Sequence, residues 1–125
     1  MQCPCNSNNS FNECCEVIHK DLSKATTAEK LMRARYSAFS VKNIDFIYNT
    51  FHPTTRRFQS KKSIEDWANE TKWFQLEIIK SSANIVEFKA HYLDINMENH
   101  IHHEKSNFKK GSDNNWYYVD GVLRD

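Results

Sequence analysis

Glycine and proline are nearly missing from this chain, with two of each in 125 residues. Turns therefore cannot lean on glycine's easy access to positive φ, and Asn, Asp and Ser must carry the turn chemistry. Long apolar runs are missing too. No stretch approaches the ~20 consecutive apolar residues of a membrane helix, so no bilayer crossing is expected. An excess of one charge is also absent: 17 basic residues stand against 16 acidic ones, a net charge of +1. A phosphate-tracking protein needs a basic surplus or a basic face. Here the basic residues only pair up, at Arg56-Arg57, Lys61-Lys62 and Lys109-Lys110, which read as solvated loops. Nucleic acid is not an expected partner. The first residues, Met1-Gln2-Cys3-Pro4, carry neither the basic region nor the apolar region of a signal peptide. The expected location is the cytoplasm, where thiols stay reduced. The phosphate loop, G-x-S-x-G and H-E-x-x-H are absent as well.

What remains is a chain with enough apolar and aromatic residues, 39% and 13%, for one domain with a short appendage. Its cysteines are unevenly placed. Cys3, Cys5, Cys14 and Cys15 are all of them, in the pattern C-x-C-x8-C-C. Zinc takes four soft donors in a tetrahedron with sulfur ~2.3 Å away, and two close pairs joined by a short loop supply them. Pro4 stiffens the first pair. Asn6-Ser7-Asn8 follows, and asparagine tolerates the left-handed backbone of a tight turn. Such a turn aims N–H groups at the sulfurs and offsets their charge. Disulfides and unrelated free thiols are the competing readings. A bridge between adjacent Cys14 and Cys15 is disfavoured, because disulfides suit Cα atoms about 5.5–6 Å apart and neighbours sit at ~3.8 Å. A four-thiolate cage leaves no open coordination position, which points to a structural ion rather than a catalytic one.

Hydrophobic spacing organises the rest. Residues 16 to 25 hold few apolar side chains and read as a connector. Thr26-Thr27-Ala28-Glu29 matches a capping box, predicting a helix over about 27–40 whose apolar pattern is interrupted by Arg33, Arg35 and Tyr36. Asn43 is a candidate cap for a second helix carrying Ile44, Ile47, Tyr48 and Phe51 on one stripe, ended by Pro53, with His52 at its C-terminal end. A third, short helix is expected to be capped by Ser63 and to bury Ile64, Trp67 and Ala68. The period then changes from 3.6 to 2. Phe74, Leu76 and Ile78 predict one inward strand face, and Val86, Phe88, Ala90 and Tyr92 another. Two further strands are expected at about 100–109 and 116–120. Helices first and strands afterwards, joined by hairpin-length loops, predict an α+β fold with an antiparallel sheet.

Two segments carry a resemblance. Cys3-Pro4-Cys5-Asn6-Ser7, Phe11 and Cys14-Cys15 resemble the SEC-C zinc motif, although Asn6 and Asn8 stand where that motif has glycines. Its loop lysines are missing, and Glu13 lies beside the ligands. Leu31-Met32-Arg33-Ala34-Arg35-Tyr36-Ser37-Ala38-Phe39 is close to the L-M-R-S-R-Y-S-A-Y segment of the YchJ-like uncharacterised proteins. Val86 to Ala90, Glu104 to Phe108 and Trp116 to Gly121 are similar to that family's later segments, in order. The resemblance implies a SEC-C zinc motif with its connector at 1–24. It also implies a nuclear-transport-factor-2-like (cystatin-like) cone at 25–125, a curved sheet wrapped on helices. Many members carry a second C-terminal cysteine motif, which the sequence to Asp125 lacks, so a function needing two such motifs is not expected.

Cones of this kind often enclose a pocket. Period 2 puts Glu104, Ser106 and Phe108 on one strand face, and Trp116, Tyr118 and Asp120 on another. Arg35 and Tyr36 reach the same space from the first long helix, with Arg35 expected to form a buried ion pair with Glu104. These eight residues are the candidate lining of a small-ligand pocket, with a structural ion pair and core aromatics as the plain alternative. His100 and His102 share a face but lack a third metal ligand. The expected function is a zinc-containing accessory protein whose knuckle meets another protein. A homodimer through the outer sheet face is expected only by analogy with related cones. The alternative is a hydrolase or isomerase using Glu104 or Asp120 as acid or base and Tyr118 or Arg35 to stabilise charge.

Overall fold

The computed structural model describes residues 1–124. The chain begins with a small knuckle in which Gln2 and Ser10 pair as a single antiparallel bridge. A 3-10 turn at Phe11–Glu13 leads into α1, Cys15–Lys20. The expected connector is thus partly helical, and its few apolar residues suffice because Cys15 and Ile18 are buried against the body. A second 3-10 turn, Leu22–Lys24, precedes α2, Ala28–Val41. Thr27 rather than Thr26 caps α2, accepting the Lys30 N–H, so the expected capping box with Glu29 does not form. Lys42 ends it in the left-handed region.

Asn43 caps α3, Ile44–Asn49, through the Phe46 N–H, as the spacing predicts. Pro53 does not simply stop that helix; it opens α4, Pro53–Arg56, at the first-turn position where its missing N–H costs nothing. His52 is accordingly an N-cap, its Nδ1 accepting the Thr54 N–H, and not a C-terminal residue. The last helix, α5 at Lys61–Glu70, is capped by Ser60 and not by Ser63, whose N–H is the donor. It buries Ile64 and Ala68, while Trp67 stays 38% exposed.

Four antiparallel strands follow in a meander, β1 Lys72–Ser81, β2 Ile85–Leu93, β3 Asn99–Lys110 and β4 Trp116–Leu123, in the order β1-β2-β3-β4. The helices pack on one face of this sheet, where Leu31, Ile47, Val86, Phe88 and Phe108 meet in one core. Two register shifts matter. One, between Trp73 and Gln75, swaps the expected inward residue: Trp73 is half-buried and Phe74 is 50% exposed. The other lies where Asn107 pairs with Asp120 but Phe108 pairs with Tyr118, leaving Val119 as an extra residue in β4. Each extra residue reverses which side chains face the core.

Both sheet edges receive partners. The Leu76 N–H on β1 donates to the Asn6 side-chain oxygen at 2.7 Å. Along β4, the 50–52 segment runs parallel, with Tyr118 N–H donating to Thr50 O at 2.8 Å and His52 N–H to Tyr118 O at 2.7 Å. Edge groups paired in this way are unavailable to other chains.

Candidate functional site

Asparagine does the work of glycine in the knuckle. Asn6 and Asn8 sit at φ 64° and 68°, the left-handed region expected of that turn. Cys3 N–H donates to Asn9 O at 2.9 Å, and Phe11 N–H to Met1 O at 2.9 Å. The two bonds fold the loop back so that both cysteine pairs converge. The four sulfurs all lie within 4.8 Å of one another, and Cys5 and Cys14 are 3.8 Å apart. A tetrahedron with ~2.3 Å metal–sulfur bonds has edges of ~3.8 Å, so the donors fit one metal ion. No disulfide forms among them. Cys3, Cys5 and Cys15 are buried and Cys14 half-buried, giving a closed, all-sulfur set.

Two hydroxyls support the sulfurs: Ser7 Oγ is 3.3 Å from Cys14 Sγ, and Ser37 Oγ on α2 is 3.5 Å from Cys3 Sγ. By themselves Cys14 and Cys15 resist ionisation. Hydrogen bonding from Cys15, against burial and with help from Ser7 and Cys3, draws the Cys5 thiol down to about 4. The same Cys5–Cys15 contact pushes the Cys15 thiol far up, and burial raises that of Cys14. Cys5 is therefore the favoured thiolate, and a divalent cation bound there would displace the protons of Cys14 and Cys15. Arg33 on α2 anchors the loop by donating to Cys5 O at 2.7 Å, and His19 Nε2 lies 2.7 Å from Ala34 O.

Behind α2 lies the second feature, a cavity of about 220 Å³ between the helices and the sheet face they cover. Of the eight residues the sequence singles out for it, Arg35, Tyr36, Glu104, Ser106, Phe108 and Tyr118 line it. Two do not. The extra residue at Val119 turns Asp120 to the opposite face, where it is exposed and accepts from Asn107 Nδ2 at 2.9 Å. Trp116 packs half-buried at the far end of β4 under Lys110 Nζ, 5.4 Å from its ring centre.

Arg35 and Glu104 do not form the expected ion pair. Arg35 Nη1 donates to Ile47 O at 2.8 Å and to Thr50 Oγ1 at 2.6 Å, both at the end of α3. Its guanidinium lies between the rings of Phe51 and Tyr118, 4.5 Å from each centre. Glu104 instead accepts from Tyr118 Oη at 2.7 Å and Ser106 Oγ at 2.5 Å on one oxygen, and meets His102 Nε2 at 2.7 Å on the other. Tyr118 thus stands between the two charges, its ring on the cation and its hydroxyl on the anion. Burial raises the Glu104 pKa, but the three hydrogen bonds outweigh it and hold the carboxyl below its ordinary value. Burial lowers Arg35 to about 10, so it stays a cation at neutral pH. Burial, with Glu104 adding, pushes the Tyr118 hydroxyl far up.

The sequence reading misses His102, Thr50, Phe51 and Gly121. His102 was legible, two residues before Glu104 on the same strand face. Gly121 was less so: it faces Ser106 across the sheet, and a Cβ there would overlap the Glu104 carboxylate. The other histidines have local partners. His100 Nε2 meets Asp94 at 2.7 Å and His103 Nε2 meets Glu87 at 2.8 Å. Among the described residues only the four cysteines form a group suited to a metal.

The chain is similar to several known proteins. A family model described as "YchJ, middle NTF2-like domain" matches residues 27–121. A UPF0225 protein of Actinobacillus succinogenes is 38% identical over 127 residues, covering 97% of this chain and 81% of that protein. One from Geobacter sulfurreducens is 38% identical over 126 residues, covering 95% and 77%. The solution structure of a SEC-C motif containing protein from Rhodopseudomonas palustris superposes with a TM-score of 0.84 at 29% identity, over 100% of both chains. The crystal structure of a SEC-C motif containing protein from Psychrobacter arcticus gives 0.77 at 30% identity, over 100% of this chain and 84% of that one.

Proposed function

The chain belongs to the YchJ family of UPF0225 proteins, and from that premise we propose that it is a non-enzymatic accessory protein whose four cysteines hold one structural zinc ion and present a surface to another protein. The observation that carries this reading is the convergence of Cys3, Cys5, Cys14 and Cys15 sulfurs within 4.8 Å. An all-thiolate tetrahedral set suits zinc or iron; zinc is the ion that needs no redox partner, and the closed site offers no position for substrate. Zinc binding contributes folding free energy to the tip, on the order of 10 kcal/mol gross, which so short a segment cannot obtain from burial.

The charge of the tip defines the kind of protein it would meet. Residues 1–19 contain Glu13 and Glu16 and no lysine or arginine. A zinc ion with four thiolates carries a formal −2. The knuckle then carries net negative charge, offset in part by Lys20 beside Glu16 and Arg33 on the Cys5 carbonyl, and is complementary to a basic surface.

The cavity supports a small-molecule role beside the knuckle. An enzymatic role draws less support, because an ionised Glu104 already held by three donors is a weak proton acceptor, and Asp120 faces away. Elemental analysis of purified protein should find one zinc per chain and no visible thiolate–iron absorption. A pull-down with and without chelator should then lose its partner together with the metal. Iron instead of zinc, or a partner retained after complete metal removal, would overturn the reading.

A further inference from the structure

The polar balance of the cavity wall is lopsided. Glu104 has all its nearby donors committed to it: Tyr118, Ser106 and His102. Arg35 has not been matched in return. It is 8% exposed, and only Nη1 finds acceptors. Its Nε and Nη2 donors have no acceptor among the described residues, and Arg35 lines the cavity. The indole N–H of Trp73, on the same wall, is buried without an acceptor. Arg35 meets the Glu104 charge only across Tyr118; buried charged N–H groups left without acceptors are costly, and aromatic faces compensate only part of that cost. The unmet demand is for acceptors.

Shape and apolarity narrow the answer. About 220 Å³ is room for about seven waters at ~30 Å³ each, or for one small organic molecule. Most of the wall is apolar: Met32, Phe39, Phe88 and Ala90 surround the space. Nε and Nη2 form the side of a guanidinium whose spacing matches the two oxygens of a carboxylate.

We propose that the cavity binds a small monocarboxylate with an apolar, preferably aromatic, body, its carboxylate forked on Arg35 Nε and Nη2 and its body among Met32, Phe39, Phe88 and Ala90. This rests on reading the cavity as a small-molecule site and adds the ligand's chemistry. Glu104 keeps its negative charge and disfavours a carboxylate placed next to it, but both its oxygens are held by donors and Tyr118 stands between it and the guanidinium, so the ligand's carboxylate belongs on the Nε and Nη2 edge of Arg35, away from Glu104. It also fixes Tyr118 through the hydroxyl, with the Tyr118 ring packed against Arg35.

The probes are phenylacetate and its uncharged amide, phenylacetamide, added to the intact metal-loaded protein. Binding is followed by Trp73 and Trp67 fluorescence, since both rings line the space, and by calorimetry. Phenylacetate should bind roughly 10- to 100-fold tighter than phenylacetamide, the ratio expected for charge-assisted hydrogen bonds. Arg35→Lys keeps the charge but not the fork and should erase most of that ratio. Because an Arg35 variant could fail to fold, Ala90→Leu serves as the second variant: it fills the cavity, leaves Arg35 in place, and should abolish binding of both probes. Equal affinity for acid and amide would overturn the carboxylate assignment while leaving the cavity a ligand site. Failure of both probes to bind at millimolar concentration would overturn the site itself, and so would binding that survives Ala90→Leu.

Discussion

Replacing Gly121 by alanine should be costly for a reason unrelated to glycine's backbone freedom. Neither glycine adopts a positive φ, so alanine suits the backbone, and in a strand interior it is ordinarily the better residue. The space, however, is taken. A Cβ at 121 would overlap Oε2, Cδ and Cγ of Glu104, and the carboxylate must leave. Leaving breaks its bonds from Ser106 and Tyr118. Two hydrogen bonds to a charged group, at about 1.5–3 kcal/mol each, set the scale, and movement of Glu104 toward water recovers part. We expect a loss of about 3 kcal/mol, which at a urea m-value of about 1.5 kcal/mol/M lowers the unfolding midpoint by about 2 M. The decisive comparison is a double-mutant cycle with Glu104→Ala. With the carboxylate gone, Gly121→Ala should cost less than about 0.5 kcal/mol, a coupling of at least ~2 kcal/mol. Equal cost in the two backgrounds would refute the argument that Gly121 exists to house Glu104.

Cys14→Ser should take bound metal from one equivalent to none by elemental analysis. It should also raise amide exchange through the knuckle and α1 while β2 and β3 stay protected. Asn6→Gly and Asn8→Gly both keep a left-handed-competent residue, but only the first removes the acceptor of the Leu76 N–H; it should cost about 1 kcal/mol more and speed Leu76 exchange selectively. Glu104 has a depressed folded pKa against an ordinary value of 4.5, so its contribution is fully present above pH 4.5 and is lost as pH falls through the lower folded value. Glu104→Gln should therefore flatten the acid limb of stability below pH 4.5, as read by urea midpoints from about pH 3 to about pH 6. Tyr118→Phe should cost about 1–2 kcal/mol by removing the hydroxyl from Glu104, whereas Tyr118→Leu should cost more because the ring over Arg35 is lost as well.

The cysteine cluster was legible because it is local. Four cysteines in fifteen residues, with asparagines where the turn needs positive φ, state their chemistry without any knowledge of the body. The strands were legible as strands, since period 2 survives over stretches such as Val86 to Tyr92. Their inward faces were legible only up to the first extra residue. Trp73 replaces Phe74, and Asp120 leaves the face of Tyr118, because a bulge reverses alternation and no residue type announces it. The Arg35–Glu104 pair failed for another reason. Opposite charges facing one cavity suggest a direct bridge, but the carbonyl of Ile47 and hydroxyl of Thr50 at the end of α3 reach the guanidinium, and the tyrosine fills the gap. That outcome depends on where α3 stops, which spacing does not locate to the ångström.

Helix α2 shows most clearly why local rules broke where they did. Read as an amphipathic helix, Leu31 to Phe39 looks faulty: Arg33, Arg35 and Tyr36 interrupt the apolar stripe. A helix with one buried face would have no use for them. This one has two. Arg33 and Ser37, one turn apart, serve the knuckle through Cys5 O and Cys3 Sγ, while Met32, Arg35, Tyr36 and Phe39 form the cavity wall. Alanines 34 and 38, each fully buried, let neighbouring elements come close between those faces. The residues that violate the periodic pattern are the ones whose polar groups reach a sulfur, a loop carbonyl or the cavity, so departures from amphipathicity in this helix mark its two sites.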